Sequence, residues 1–321
     1  MPYSLRAAFL DHRSLDLGDL DLSGLRACFA ELHLHPNSRP EDVIERLQGV
    51  EVAISNKVPL TSEVFAACPH LKLVLVAATG TNPIDLEAAR AHGIVVSNCQ
   101  GYGTPSVAQH TLMLLLALAT RLSDYQQDVR AGRWQQAQQF CLLDHPIVEL
   151  HGKTLGLLGY GELGSAVAQL AQAFGMRVLL GQLPGRPPRT DRLSLDELLP
   201  QVDALSLHCP LNEHTHHLIG KRELSLMKPS AFLINTARGG LIDEHALAET
   251  LRAGHLGGAA TDVLSQEPPK DGNPLLANDI PRLIITPHSA WGSREARQRI
   301  VGQLAENAQA FSHGKAMRVV S

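Results

Sequence analysis

The run Leu155-Gly-Leu-Leu-Gly159-Tyr-Gly161-Glu-Leu-Gly164 carries the spacing G-x-G-x-x-G, directly after a run of strand composition and opening a run of helical spacing. Each glycine there has its own physical task. Gly159 permits a tight turn, Gly161 lets the backbone approach a pyrophosphate, and Gly164 allows close packing of helix on strand. The helix that starts at Glu162 and Leu163 offers unpaired N–H groups to the anion. At the end of the next strand a carboxylate would bind the ribose hydroxyls of NAD. The residue there is Gln182, and Arg186 and Arg189 follow it. Without a carboxylate the repulsion towards a 2′-phosphate is gone, and either guanidinium could pair with one. A basic surface loop explains the same arginines equally well, so NAD and NADP both stay open as cofactor.

Three further polar residues fall at the ends of later strand-like runs, where ligands bind in open α/β sheets. Arg238 stands in Asn235-Thr-Ala-Arg238-Gly-Gly, Glu267 in Asp262-Val-Leu-Ser-Gln-Glu267-Pro-Pro, and His288 in Thr286-Pro-His288-Ser-Ala-Trp291. Taken singly each has a plain structural reading: a surface arginine, a turn glutamate, a capping histidine. Asp262 at its strand end has one too, since aspartate favours such turns.

The elements that would hold these residues alternate along the chain. Arg6–Leu10, Val52–Ser55, Leu71–Ala77 and Ile94–Ser97 read as strands, with Glu41–Leu47, Ser62–Ala67 and Ile84–His92 as helices between them. A second series starts at Lys153, with strands at Thr154–Leu158, Arg177–Leu180, Ala204–Leu207, Phe232–Asn235, Gly258–Asp262 and Leu283–Thr286. Helices at Glu162–Phe174, Leu195–Leu199 (with Ser194 and Glu197 spaced as a capping box) and Glu244–Ala253 complete it, and a last long helix at Ser293–Phe311 need not belong to this series and could return to the first domain. Strand–helix alternation predicts α/β architecture with parallel sheets covered on both faces. One long helix is expected over Pro105–Val129, apolar in its first half and polar in its second, as a connector between domains or an oligomer contact.

The composition narrows the field. A chain of 321 residues suggests about two domains. With 44% hydrophobic and 19% charged residues and a formal charge of −4, it reads as a soluble globular protein without a polyanion-binding surface, so no nucleic acid is expected. Aromatics at 4% are too sparse for a base-stacking platform. Five scattered cysteines with no C-x-x-C pair indicate neither a disulfide framework nor a zinc site. His214, His216 and His217 crowd one stretch without a carboxylate or cysteine at ligand spacing, so it reads as a solvated loop and no metal is expected. The start MPYSLRAAFLDHRS lacks a signal-peptide pattern and no apolar run is long enough to span a bilayer. A cytoplasmic location with no membrane partner is the expectation.

Taken together, the glycine run and the order of Arg238, Glu267 and His288 resemble the D-isomer-specific 2-hydroxyacid dehydrogenase family. The likeness covers nearly the whole chain, including Asn56-Lys57, Ala78-Thr-Gly80 and Val107-Ala-Gln, and is most specific from Leu233 to Trp291. Trp291 after the histidine, and Gly132-Arg-Trp134 before Phe140-Cys141, make it most similar to the glycerate dehydrogenase/hydroxypyruvate reductase branch. The resemblance implies a doubly wound Rossmann cofactor domain, residues 101–289, inserted in a flavodoxin-like substrate domain of residues 1–100 and 290–321.

It implies roles as well. His288 would be the general acid–base, Glu267 its partner, and Arg238 the group that binds the substrate carboxylate and carbonyl. Reduction of a 2-keto acid needs an acid titrating near neutrality at the carbonyl oxygen, a carboxylate beside it to orient the ring, and a guanidinium to match the substrate carboxylate. Backbone around Thr79 and Gly80, with Asn56 nearby, would hold the other carboxylate oxygen, and Trp291 would line the substrate. Trp134 would reach a neighbouring subunit's site, or anchor its own surface. Cofactor contacts map to Thr104, Glu162, Leu163, Cys209, Pro210, Thr215, Thr236, Ala237, Asp262 and Ala290. The implied activity is NAD(P)-dependent reduction of hydroxypyruvate, and of glyoxylate, by a homodimer. Another D-2-hydroxy acid such as D-lactate, or a non-catalytic dinucleotide-sensing role like that of related corepressors, are the alternatives.

Overall fold

The computed structural model describes residues 5–321, so the first four positions of the expected substrate domain lie outside the described residues. The chain divides into two compact units, Met1–Gly103 with Gly292–Ser321, and Thr104–Trp291.

The first unit is built on β1 (Arg6–Phe9), α1 (Ser23–Arg26), β2 (Glu31–Leu34), α2 (Val43–Arg46), β3 (Val52–Ser55), α3 (Ser62–Ala67), β4 (Leu73–Val76), α4 (Leu86–Ala91) and β5 (Val95–Ser97). All its strands pair in parallel, in the order β2-β1-β3-β4-β5. Short Val- and Leu-rich runs form the central strands because both faces of such a sheet are buried. Ala8, Ala53, Val74 and Val76 enter one core with Phe65 and Leu47. Phe9, Ile54, Leu73 and Leu75 point to the other face, also buried. The edge strand β2 and the short α1 escaped the sequence reading; Glu-Leu-His-Leu alternates exposed and half-buried positions rather than forming an apolar run.

The second unit opens with α5 (Thr104–Ala119) and α6 (Leu122–Arg130). The single helix expected over Pro105–Val129 is thus two. Arg121 adopts a left-handed conformation (φ 56°), and Thr120 bonds its hydroxyl back to the Leu116 carbonyl, which breaks the run where apolar residues give way to polar ones. There follow β6 (Thr154–Leu158), α7 (Glu162–Ala173), β7 (Arg177–Gly181), α8 (Leu195–Leu198), β8 (Ala204–Leu207), α9 (Lys221–Leu226), β9 (Phe232–Asn235), α10 (Glu244–Arg252), β10 (Gly258–Thr261) and β11 (Leu283–Ile285). The capping box at Ser194 and Glu197 forms as the spacing demands. The six strands pair in parallel in the order β11-β10-β9-β8-β6-β7. Alternation along them feeds two cores: Leu205, Leu207, Leu233 and Ala259 to one face, Leu155, Leu157, Ile234 and Ala260 to the other. Both sheets are therefore doubly wound, and the direction of winding reverses at β6/β8 in this unit, the place where such folds bind ligands. Finally α11 (Arg294–Ser312) returns to the first unit and packs on α1 and β4.

Candidate active site

The glycine-rich turn follows β6 and leads into α7. Gly159 stands at φ 101°, and a Cβ there would lie 2.5 Å from the His208 carbonyl carbon, so the turn after β6 touches the turn after β8. A Cβ at Gly164 would clash with the Gly159 carbonyl, whereas around Gly161 there is open space. Room at Gly161 beside the first N–H groups of α7, at the strand-order reversal, fits the pyrophosphate of a dinucleotide. At the same helix start Glu162 accepts the Thr104 hydroxyl at 2.6 Å, and Leu163 occupies the first turn.

Gln182 behaves differently from a ribose ligand. Its amide nitrogen donates to the carbonyls of Leu183, Arg186 and Pro187, and its oxygen accepts the Arg189 N–H. The side chain thereby staples the loop after β7. Arg189 forms a two-point pair with Asp191, while Arg186 is exposed. Sequence reading missed Arg192, whose guanidinium stacks 5.3 Å from the Tyr160 ring centroid beside the glycine turn. Asp191 engages Arg189 at 2.9 Å and Arg192 at 3.7 Å, which leaves the exposed Arg186 as the arginine best placed to meet a dinucleotide's 2′ position.

After β8, Cys209 is buried and burial pushes its thiol up to about 11. The Thr215 hydroxyl donates to the Pro210 carbonyl at 2.7 Å and accepts the Asn212 N–H, which closes that loop. His216 and His217 stack with ring centroids 3.9 Å apart, and no metal-binding group of His, Cys, Asp or Glu occurs among the described residues. His208 is partly buried; desolvation pushes its pKa down to about 4, and its Nδ1, shielded from solvent, has no partner.

The ends of β9, β10 and β11 hold the remaining residues. Thr236 shares a 2.9 Å hydroxyl bond with Thr111 of α5, and the Ala237 N–H donates to Asn235 Oδ1. Arg238 is extended and exposed, with its carbonyl taken by the Asn235 amide. Immediately after it, Gly239 lies flat on the Leu264–Ser265 backbone. That close approach joins the turn of Arg238 to the turn of Glu267, whose Oε1 accepts the Leu264 N–H at 2.9 Å. Glu267 Oε2 then meets His288 Nδ1 at 2.5 Å, with both side chains about one-third exposed, at 33% and 29%. The pair orients the ring and leaves Nε2 as its remaining proton-carrying position.

His288 is held in a left-handed conformation (φ 51°), which non-glycine residues keep only where the surroundings impose it. Asp262 imposes it. Its carbonyl accepts the His288 N–H at 2.7 Å. Its carboxylate, 1% exposed, accepts the N–H groups of Ser289 and Ala290, each at 2.9 Å, and the Thr286 hydroxyl at 2.5 Å. Trp291 ends the unit.

Within the first unit, Asn56 is buried after β3 and donates its amide to the Ser14 hydroxyl. The backbone N–H groups of Asn56 and Lys57 both bond the carboxylate of Asp11, at 2.9 and 2.8 Å. Burial pushes the Asp11 carboxyl up. Asp11 was missed by sequence reading, although an acid just past β1, next to the β1/β3 reversal, is the available signal. The Thr79 carbonyl accepts the Asn98 amide, and Gly80 follows it. Trp134 donates its indole N–H to the Phe140 carbonyl and is half exposed.

A model of the D-isomer specific 2-hydroxyacid dehydrogenase NAD binding domain matches residues 112–290. The chain is 47% identical over 281 residues to a glycerate dehydrogenase of Methylorubrum extorquens, covering 88% of each protein. It is 37% identical to a hydroxypyruvate reductase of Blautia hydrogenotrophica, covering 99% of this chain and all of that one (100%). Among solved structures, the TT0316 protein of Thermus thermophilus superposes with a TM-score of 0.86 at 36% identity, over 99% of this chain and 100% of the other. The chain belongs to the D-isomer-specific 2-hydroxyacid dehydrogenase family. It is an NAD(P)-dependent oxidoreductase acting on CH–OH groups.

Proposed function

We propose that the protein reduces small 2-keto acids, hydroxypyruvate to D-glycerate foremost and glyoxylate to glycolate as well, with His288 as proton donor. The single observation that carries this reading is the 2.5 Å His288–Glu267 pair, joined through Leu264 and Gly239 to the turn of Arg238. Hydride delivery to the keto carbon is the chemistry that the bound nicotinamide supplies. The protein's residues do the rest. His288 hands its proton to the carbonyl oxygen, Glu267 stabilises the charged ring, and Arg238 binds the carboxylate in two-point geometry. Thr79, Gly80 and Asn56 are the first unit's substrate-binding residues, and Trp291 is a further one of the second. The second unit is the cofactor domain: Gly159, Gly161, Glu162, Leu163 and Gly164 receive the pyrophosphate. Around them Thr104, Gln182, Arg186, Cys209, Pro210, Thr215, Thr236, Ala237, Asp262 and Ala290 form the remaining wall. The first unit is the substrate domain. Names of the similar proteins, glycerate dehydrogenase and hydroxypyruvate reductase, support the choice of substrate.

We also propose a homodimer. Trp134, Phe140, Leu143 and Ile147 expose large apolar groups on one short stretch, Phe140 being 89% exposed, and an apolar patch of this kind marks a contact surface. Sedimentation at micromolar concentration should give twice the chain mass, and a monomer would remove the proposal. We propose a cytoplasmic location as well, since five free cysteines suit a reducing compartment.

The deciding assay is a steady-state panel of hydroxypyruvate, glyoxylate, pyruvate and bulkier 2-keto acids with NADH and NADPH separately. Highest kcat/KM is expected for hydroxypyruvate. A preference for pyruvate would reassign the enzyme to D-lactate, and tight coenzyme binding without turnover of any keto acid would make it a sensor.

A further inference from the structure

Helix α5 turns one polar edge to the C-terminal ends of the sheet. Ser106 and His110 are four residues apart and so share a face. The Ser106 hydroxyl donates to the Ala290 carbonyl at 2.7 Å, and His110 Nε2 lies 2.9 Å from the Thr286 hydroxyl and 3.5 Å from Asp262 Oδ1. Ala290 and Thr286 bracket His288, so the helix grips its loop on both sides.

We infer that His110 is a positioning residue that fixes His288 through a directed chain of two hydrogen bonds, His110 Nε2–H to Thr286 Oγ1 and Thr286 Oγ1–H to Asp262 Oδ1. The direction follows from hydrogen-bonding capacity. A charged carboxylate can only accept, and the Thr286 hydroxyl has one hydrogen, which therefore lies in the 2.5 Å contact with Oδ1. The Thr286 oxygen must then accept, which requires a hydrogen on His110 Nε2. With the chain in place Oδ1 holds the Thr286 hydroxyl and the Ser289 N–H, Oδ2 holds the Ala290 N–H, and the Asp262 carbonyl holds His288 itself. Remove the His110 donor and the Thr286 oxygen loses the bond that fixes and polarises it. Its bond to the carboxylate then weakens, and the left-handed turn at His288 loses part of what imposes it. His110 is mostly buried, its side chain 16% exposed, so water is a poor substitute for the missing donor.

The inference rests on the proposal that His288 is the proton donor, and its test separates the two. His110→Phe and Thr286→Val break the chain; His110→Gln and Thr286→Ser keep a donor and a hydroxyl. Amide hydrogen exchange of the peptide spanning 286–291 is measured on the full-length protein, beside steady-state kinetics with hydroxypyruvate. The breaking variants should accelerate exchange of that peptide roughly ten- to hundredfold and lower kcat by a similar factor. Substrate KM should stay within about threefold, while the two conservative variants restore both rates. Thr286→Val differs little in shape from the parent and carries the test if His110→Phe does not fold. Unchanged exchange in the breaking variants overturns the chain, and changed exchange with unchanged kcat overturns its role in catalysis. If the parent itself turns over no keto acid, the proposed function fails, and accelerated exchange still establishes the chain.

Discussion

Gly239→Ala is the perturbation whose effect follows most directly from the coordinates. The new methyl carbon would lie 1.9 Å from the Leu264 carbonyl carbon, 2.3 Å from its oxygen and 2.3 Å from the Ser265 nitrogen. Ordinary carbon–carbon contact begins about 1.5 Å further out, and these are backbone atoms that cannot rotate away. Either the turn at Arg238 or the turn at Leu264–Ser265 must therefore move by more than an ångström. Leu264 N–H holds Glu267 and Ser265 N–H holds Glu244, so such a shift strains both bonds. Overpacking of this kind costs about 3 kcal/mol, which lowers Tm by roughly 6–12 °C for a unit of this size. Misplacing Arg238 relative to His288 by about 1 Å costs on the order of 100-fold in kcat/KM. Thermal denaturation followed by circular dichroism, with hydroxypyruvate kinetics at 25 °C, measures both. A variant that melts with the parent and turns over at the parental rate would show that Arg238 and Glu267 do not depend on each other's turns.

Other perturbations test separate parts. His288→Gln should lower kcat by roughly 10²–10⁴, and Glu267→Gln by about tenfold as a charge-assisted bond becomes a neutral one; parental rates would remove either residue from its role. Gly159→Ala places a methyl group against the His208 backbone at a left-handed position, so NADH fluorescence titration should show binding lost, and a parental Kd would refute the coenzyme site. His208 takes a proton near pH 6.5 when unfolded but only at about 4 when folded, because burial disfavours its charge. Stability is therefore full above pH 6.5 and falls by about 3 kcal/mol as pH drops from 6.5 towards 4. Urea melts across that range should show the loss, and His208→Asn should flatten it. Arg297 holds Asp19 down to about 2, so that pair stabilises above pH 4 and its contribution disappears as pH falls from about 4 to 2. Arg297→Ala should abolish this step in acid melts.

Much of this was legible in the sequence where one residue type satisfies the geometry. The glycines at 159, 161 and 164 could be read because a turn, an opening and a close approach each require the missing side chain. Strands β3, β6, β8 and β9 could be read to their end residues because both faces are apolar. Edge strand β2 could not, since one half-buried face leaves no continuous apolar run. The break between α5 and α6 was hidden because Arg121 carries no sign of its left-handed backbone. At the site, residue types suggested His288 and Glu267, but the supporting contacts were invisible. Asp262 fixes a loop 24 to 28 residues away in sequence, His110 lies further off still, and Gln182 turns its amide onto its own loop. Such partners are set by tertiary packing, which spacing along the chain does not encode.

The return of α11 to the first unit has a consequence for how the protein is made. That unit cannot close until residues beyond 292 have left the ribosome, because its early segments depend on them. Arg297 grips Asp19, Asn307 bonds the Asn98 carbonyl, and Gln303 takes up the backbone of Gln100. The middle unit has all its strands in hand before then. Synthesis order and folding order should consequently differ, the inserted unit maturing while its host waits open, with its apolar β4 face exposed to chaperones. Released chains truncated after residue 291 should yield a protease-resistant fragment from the middle of the sequence and none from its beginning.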